Sequence, residues 1–321
     1  MKKVSSAPKS LGLKPIPSVN SGSQWNTLGS IPSLRKKVES LLLSKLPDTI
    51  ENKKFIHEEL WSIAVPCQDS TVYQTIREKL WGKEVKPTSK EILANQKQME
   101  ARAIKMSEEF FSVLPSSCSP SVSYDVGCGN MIVTKYLSER IYSSSKDPST
   151  SIIYGFDIDT PHSVPVHCEF IKCPAESLVQ GAKDLPRPQM ITCFNTVHHM
   201  ASPLKALYSC CDLLQDDGYI ILREHNCTNP EYGLLLDIQH GLNFCCFSRI
   251  QMMEIDEFIK TFKSIYINQW IIGDILESKG LKLIGMYDLD GKLSPASGKL
   301  EKMEEYQLST LGTPFYFIYK K

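Results

Sequence analysis

The chain has 321 residues, 42% of them hydrophobic, which is enough for one large globular domain with an appendage. Its 36 basic and 36 acidic side chains balance, so the net charge gives no general argument for nucleic-acid binding. No run of about 18 apolar residues occurs, and the N-terminus lacks the apolar core of a secretory signal. We therefore expect no membrane span and an intracellular protein, most simply a cytoplasmic one.

The eleven cysteines form no C-x-x-C pair, which argues against a zinc ribbon. Cys210–Cys211 and Cys245–Cys246 fall in apolar, helical patterns. We predict buried free thiols in a reducing compartment.

The first 114 residues divide into two regions by composition. Residues 1–33 are rich in Ser, Pro and Gly, and we predict a disordered basic tail there. The charged residues that precede Glu39 are all basic: Lys2, Lys3, Lys9, Lys14, Arg35, Lys36 and Lys37. RNA contact, a transit peptide and no role at all stay open for this tail. Residues 34–114 space their apolar side chains at three and four, which predicts a helical extension whose last helix starts at Thr88 or Ser89.

The segment Ser121–Asn130, SVSYDVGCGN, predicts a strand, a glycine turn and a helix from Met131 to Ile141. Glycines lack a Cβ, so a ligand can approach their backbone, and the helix start offers free N–H groups. The dinucleotide pattern G-x-G-x-x-G is not completed, because Ile132 stands at its third glycine. A carboxylate at Asp125 favours a cationic ammonium over a pyrophosphate.

Further predicted strands each end in polar residues. The apolar run 152–156 ends in Asp157 and Asp159, and 167–173 precedes Pro174, Ala175 and Glu176. The run 190–194 precedes Asn195, and 219–222 follows a turn in which we expect Gly218 to take a positive φ. Alternating strands and helices predict an α/β fold over 115–321.

These elements, in this order, resemble the class I S-adenosylmethionine-dependent methyltransferases. DVGCGNM matches their motif [D/E]-x-G-x-G-x-G except at Met131. The resemblance implies a doubly wound, seven-stranded, mostly parallel sheet with one antiparallel strand near the C-terminus. It also implies S-adenosylmethionine (SAM) as the cofactor.

The resemblance carries roles over to single residues. Asp125, Gly127 and Gly129 belong to the cofactor turn, and Asp157 is implied as the ribose ligand; Asp159 is as well explained as a cap. Ala175 or Glu176 would lie beside the adenine, although Pro174 stands where the family often has an acid. Asn195 would line the channel near the methyl donor. His198 and His199 are implied as walls of that channel rather than as a base or metal ligands.

The segments Arg223-Glu224-His225-Asn226 and Asp237-x-x-His240 are the most distinctive ones after the predicted fifth strand, which we expect to end at Leu222. Asp237 and His240 fall on one face of a predicted helix, 231–246. We predict His225 or His240 as a general base, with Glu224 or Asp237 orienting its ring. A metal held by Glu224, His225 and His240 matches no standard spacing and is not predicted; a structural network that pins the helix to the sheet stays open.

The predicted function is SAM-dependent methyl transfer. RNA, protein and small molecules stay open as acceptors, with RNA slightly favoured because of the basic tail and the helical extension. The alternative is a catalytically inactive protein of the same fold that binds RNA or a partner subunit, which Met131 and Pro174 support. The chain also shows a weak resemblance to methyltransferase-like proteins of large DNA viruses.

Overall fold

The computed structural model describes residues 24–64, 69–82, 86–144, 147, 151–227, 230–251, 254–262, 264–289 and 314–321. The chain forms two compact units, one of residues 1–84 with 233–248 and one of residues 85–232 with 249–321. The predicted helical extension, 34–114, is thus divided between the units, because its last helix belongs to the second one.

The first unit is helical. Its helices are α1 (Gln24–Gly29), α2 (Pro32–Leu43), α3 (Ile50–Lys54), a π-helical turn (Phe55–Glu59), α4 (Leu60–Ala64), α5 (Asp69–Trp81) and the middle of α10 (Pro230–Gln251). The prediction of disorder up to residue 33 is wrong for 24–33. Trp25 of α1 is fully buried, and its ring lies 5.6 Å from that of Tyr73. Asp69 accepts hydrogen bonds from the first two N–H groups of α1, at 3.1 and 3.3 Å. Residues 1–23 of the predicted tail lie outside the described residues.

The second unit contains a seven-stranded sheet in the order β3-β2-β1-β4-β5-β7-β6. The strands are β1 (Val122–Val126), β2 (Ile152–Asp157), β3 (Cys168–Lys172), β4 (Met190–Phe194), β5 (Tyr219–Glu224), β6 (Lys282–Tyr287) and β7 (Phe315–Lys320). All neighbours pair in parallel except β7, which is antiparallel to both β5 and β6. The predicted fold class is confirmed.

Helices cover both faces of this sheet. Besides the two ends of α10, the helices of this unit are α6 (Ser89–Val113), α7 (Ile132–Ser144), α8 (Leu178–Gly181), α9 (Pro203–Leu213), α11 (Ile255–Thr261) and α12 (Gln269–Ser278). One core joins the strands to Leu207 and Ile272, from α9 and α12, and the other joins them to Phe110 and Leu137, from α6 and α7. Burial on both faces explains the continuous apolar runs of the central parallel strands.

Two local predictions need correction. Asp217, with φ 61°, takes the positive φ of the turn before β5, and Gly218 does not. Gly218 is needed for space instead, because a Cβ there would lie 2.9 Å from the Gln215 carbonyl oxygen. β5 continues past Leu222 to Glu224, so Arg223 and Glu224 are strand residues with side chains on opposite faces.

Within the described ranges, every cysteine is a free thiol, and burial raises the pKa of Cys118 and Cys211 to about 12. None of the helices that the structure describes is long and apolar enough to cross a membrane.

Candidate cofactor and methyl-transfer site

The candidate site lies where the strand order reverses, between β1 and β4. Open α/β sheets bind ligands in the crevice outside the carboxyl ends of the strands at this point. The glycine turn follows β1, and Asn195 and Thr196 follow β4, so both reach this crevice.

The glycine turn is built from alternating left-handed residues. Gly127, Gly129 and Met131 have φ values of 75°, 54° and 60°. The third position therefore keeps the backbone that glycine favours, although a methionine occupies it. The Met131 side chain is 1% exposed, and its Cε would lie 2.7 Å from a Cβ placed on Gly155 of β2. Met131 thus fills the space above a strand glycine.

The two glycines differ in their surroundings. A Cβ on Gly127 would lie 2.0 Å from Oγ1 of Thr196, so the turn is pressed against the loop after β4. A Cβ on Gly129 would meet no atom within 4 Å. The turn is thus closed on the β4 side and open at Gly129, where a ligand can approach the backbone.

Asp125, at the end of β1, holds the elements on either side of the glycine turn. Thr134 of α7 donates a hydrogen bond to its carboxylate at 2.6 Å, and Thr192 of β4 donates another at 2.9 Å. The side chain is 3% exposed, and burial raises its pKa. In this structure the carboxylate holds the helix and the strand on either side of the turn, and it contributes to the crevice through the backbone that it fixes.

Asp157 closes the other side of the turn from the end of β2. Its carboxylate accepts the Gly129 N–H at 2.7 Å and the Asp159 N–H at 3.1 Å. The Asp157 side chain is half-buried, so it can still meet a ligand that lies over Gly129.

Glu224 joins β5 to the loop after β4. One of its oxygens accepts the N–H groups of Thr196 and Val197 at 2.8 and 2.7 Å, and the other lies 2.5 Å from Nδ1 of His198. Both side chains are almost completely buried. Burial alone would raise the pKa of Glu224, but His198, His225 and the Val197 N–H together outweigh it and lower that pKa. The direction of this pKa shift favours the carboxylate form of Glu224, with its neighbours supplying the stabilisation.

Aromatic rings surround this pair. His225 and His199 have ring centroids 5.1 and 4.0 Å from that of His198, and Tyr266 stacks on His198 at 5.5 Å. The His198 carbonyl also accepts the Ile265 N–H at 2.7 Å, which ties the segment before α12 to this cluster.

A family model described as "Methyltransferase domain" matches residues 96–264, just over half of the chain. The chain belongs to this methyltransferase family. This match and the sheet order confirm the predicted class I resemblance, and the predicted cofactor, SAM, follows from it. No curated protein matches the sequence.

Several solved methyltransferase structures align with this chain at low sequence identity. The plantazolicin methyltransferase BpumL in complex with S-adenosylhomocysteine (SAH) is 14% identical, with a TM-score of 0.46, and the match covers 78% of this chain and 95% of that one. Human N-acetylserotonin methyltransferase in complex with SAM is 12% identical, with a TM-score of 0.42 and coverages of 87% and 74%. A putative methyltransferase complexed with the Haloferax volcanii activator Trm112 is 12% identical, with a TM-score of 0.43 and coverages of 71% and 93%.

The crevice of the methyltransferase fits such a cofactor. The backbone at Gly129 is open, Asp157 offers a half-buried carboxylate beside it, and Oδ1 of Asn195 is buried without a hydrogen-bond partner among the described residues. A buried unpaired oxygen is costly, and a ligand donor would remove that cost. Asn195 also has a left-handed φ of 51°, and its N–H donates to the Arg223 carbonyl at 2.6 Å.

The residues predicted to lie near the adenine are in the loop after β3, where they make structural contacts. Ala175 is buried in a short 3₁₀ turn, and Glu176 accepts the Ser202 N–H at 2.8 Å, which caps the start of α9. Their roles toward the adenine stay predictions.

The four predicted catalytic residues divide between the units. Glu224 and His225 belong to the unit of the sheet, and Asp237 and His240 belong to the helical unit. There Asp237 accepts a hydrogen bond from the Gln24 side chain at 3.4 Å, and Nδ1 of His240 lies 2.8 Å from the Leu236 carbonyl of its own helix.

The roles of Glu224 and Asp237 toward His225 and His240 stay predictions, and the structure adds a partner for Glu224. Glu224 orients His198, which was predicted only as a channel wall. The parallel register of β4 and β5 pairs Phe194 with Arg223 and so brings the residues after β4 beside Glu224. Aligning the carboxyl ends of the two predicted strands is the signal that would have indicated this contact.

Proposed function

We propose that this protein transfers a methyl group from SAM to an acceptor that carries a neutral O–H or N–H group. The observation that supports this most strongly is the glycine turn, whose three left-handed residues lie at the β1/β4 crevice of a methyltransferase-family chain. The backbone of Gly127 and Gly129 would face the donor, and Asp157 would accept hydrogen bonds from its ribose. Asn195 would lie near the methyl-bearing sulfur, with Ala175 and Glu176 on the adenine side.

SAM, when bound, supplies a methyl group on a sulfonium, which is a good leaving group. The protein then has two tasks, to hold the acceptor in line with the carbon–sulfur bond and to receive the acceptor's proton. Histidines beside an ionised carboxylate suit the second task, because imidazole accepts protons near neutral pH. His198, His225 and Glu224 form such a group at the end of β5.

RNA is the acceptor that the sequence slightly favours. The support is the run of basic residues before Glu39, of which Arg35, Lys36 and Lys37 lie in α2 and the rest outside the described residues. Incubation with labelled SAM and with total RNA, total protein or a small-phenol panel separates the three acceptor classes. If protein or the phenols become labelled and RNA does not, RNA is ruled out as the acceptor and the labelled class takes its place.

Calorimetric titration with SAM and SAH tests the cofactor site. We expect micromolar binding of both, and we expect Asp157→Ala to weaken it by about 100-fold, since charge-assisted hydrogen bonds contribute about 1.5–3 kcal/mol each. Asp159→Ala is the matched control, because its side chain is exposed and the Asp157 bond uses only its backbone. Asp157→Asn, which keeps an oxygen for the Gly129 N–H, separates ribose binding from support of the turn.

Binding at wild-type strength by Asp157→Ala would remove the ribose assignment. If the wild-type protein binds neither ligand, the non-catalytic alternative replaces the proposed function.

A further inference from the structure

We propose that His225 receives the acceptor's proton and that His198 is a positioning residue, which links Glu224 to the His225 ring. This inference rests on the proposed function. It assigns separate roles to Glu224, His198 and His225 on the acceptor side of the same site.

Burial decides which histidine can meet the acceptor. His198 is 2% exposed and has Glu224 on its Nδ1, so its ring is held inside the protein. His225 directly follows Glu224 at the end of β5 and is half-buried. An acceptor that enters from solvent therefore reaches His225 first.

The two rings are close enough for one to orient the other. Their centroids are 5.1 Å apart at an interplanar angle of 61°, and a ring nitrogen of His198 lies within 4.8 Å of one of His225. Tyr266 packs on both rings, stacked on His198 at 5.5 Å and edge-on to His225 at 6.3 Å. Tyr266 thus restricts both imidazoles, and Glu224 restricts that of His198 as well.

Glu224 sets the order of the hydrogen bonds from Glu224 through His198 to His225. An ionised carboxylate next to Nδ1 of His198 holds a proton on that nitrogen, which leaves Nε2 as the acceptor nitrogen of the ring. In the proposed arrangement a His225 N–H would face that Nε2, and the other His225 nitrogen would take the acceptor's proton. The carboxylate also stabilises positive charge on His225, in keeping with the part that His225 plays in lowering the pKa of Glu224.

The transfer step balances with these groups alone. The acceptor lone pair forms a bond to the methyl carbon, the carbon–sulfur bond breaks, and its electron pair stays on sulfur. The acceptor's proton passes to His225. The positive charge of the sulfonium thus ends on the imidazolium, and the products are SAH and the methylated acceptor.

Nitrogen-15 NMR of histidine-labelled, full-length protein saturated with SAH tests this series of contacts from Glu224 through His198 to His225. We expect His198 as the Nδ1–H tautomer and His225 in one fixed tautomer. His198→Gln keeps a donor for Glu224, and we expect it to leave His225 as a mixture of tautomers. His225→Gln is the matched variant, and we expect it to leave the His198 tautomer unchanged. An Nε2–H tautomer of His198, or a His225 spectrum that His198→Gln does not alter, would overturn the proposal.

Two further readouts separate this inference from the proposed function. Calorimetry with SAH should give the same affinity for His198→Gln and for wild type; wild-type protein that binds no SAH removes the proposed function itself. For whichever RNA or phenol probe is methylated, His225→Gln should slow transfer to a neutral acceptor by about 10²–10⁴-fold. It should slow transfer to an already ionised phenolate far less, and equal losses on both would assign His225 a structural role. The NMR result decides the proposal whether or not a probe is methylated.

Discussion

The two sides of the β1/β4 crevice are built in different ways. The glycine turn after β1 is a backbone structure, made by three left-handed residues within five positions of the chain. The side formed by β4 and β5 is made of side chains, and Glu224 and His198 are 26 residues apart in sequence. A backbone structure of this kind appears as a local motif, whereas a side-chain cluster depends on which strands become neighbours.

At the end of β5, two adjacent charged side chains also have partners that are distant in the sequence. Glu224 supports the candidate site, while the adjacent Arg223 points to the other face of the sheet, where its guanidinium lies 3.2 Å from the Glu109 carboxylate of α6. Tyr316 donates a hydrogen bond to the same carboxylate at 3.3 Å. Glu224 therefore supports the loop at the crevice, whereas Arg223 holds α6 against the other face of the sheet.

Gly127→Ala should give the largest effect, because it breaks the backbone side of the crevice. The added Cβ would lie 2.0 Å from Thr196 Oγ1, at a φ of 75° that disfavours any side chain. We expect SAM affinity in calorimetry to fall by at least about 1,000-fold, or about 4 kcal/mol. Gly129→Ala adds a Cβ with no atom within 4 Å and should cost far less in the free protein. Adding Thr196→Gly to Gly127→Ala should restore part of the affinity; no restoration would show that the contact with Thr196 is not the cause.

Two buried carboxylates, Glu224 at the end of β5 and Glu109 of α6, should respond differently to substitution. Glu109→Ala leaves the Arg223 charge without its partner, and we expect the free energy of unfolding to fall by about 3 kcal/mol. SAH affinity should stay within about twofold. Glu224→Gln should destabilise the fold by about 2 kcal/mol and also slow methyl transfer. Urea denaturation and calorimetry on both variants check this contrast, and a large loss of SAH affinity in Glu109→Ala would contradict it.

Glu224 should also make stability depend on pH. Its folded-state pKa is lowered, so the stability that it contributes is fully present above the ordinary glutamate value near 4.5 and is lost as the pH falls through the lower folded value. Asp125, with a raised pKa, acts in the opposite direction. The difference in unfolding free energy between wild type and Glu224→Gln isolates the first effect, and we expect it to shrink as the pH falls below about 4.5. A constant difference would mean that Glu224 is not ionised in the fold.

Met131→Gly should have the smallest effect. It relieves a left-handed methionine, which favours folding by about 1 kcal/mol, but it empties the space above Gly155, which costs about 2 kcal/mol or more. We expect a net loss of about 1 kcal/mol in thermal or urea denaturation, with SAH affinity changed by less than about threefold. A large gain in affinity would show that Met131 obstructs the cofactor.

The sequence predicted the backbone features well and the side-chain partners poorly. Asp125, Gly127, Gly129 and the strand-by-strand pattern indicated the sheet and the turn, because buried strands and glycine turns are determined locally. Nothing local pairs Glu224 with His198 or Arg223 with Glu109, since both contacts depend on strand register and helix packing. Helix α1 was missed because it is short and is stabilised by the burial of Trp25 rather than by periodicity.

A crystal structure of the full chain with SAH tests the central claim most directly. We predict that SAH lies at the carboxyl ends of β1 and β4, with its ribose against Asp157 and its sulfur on the side of Asn195 and His225. SAH bound elsewhere, or a protein that crystallises with the turn closed and no SAH at saturating concentration, would contradict this account.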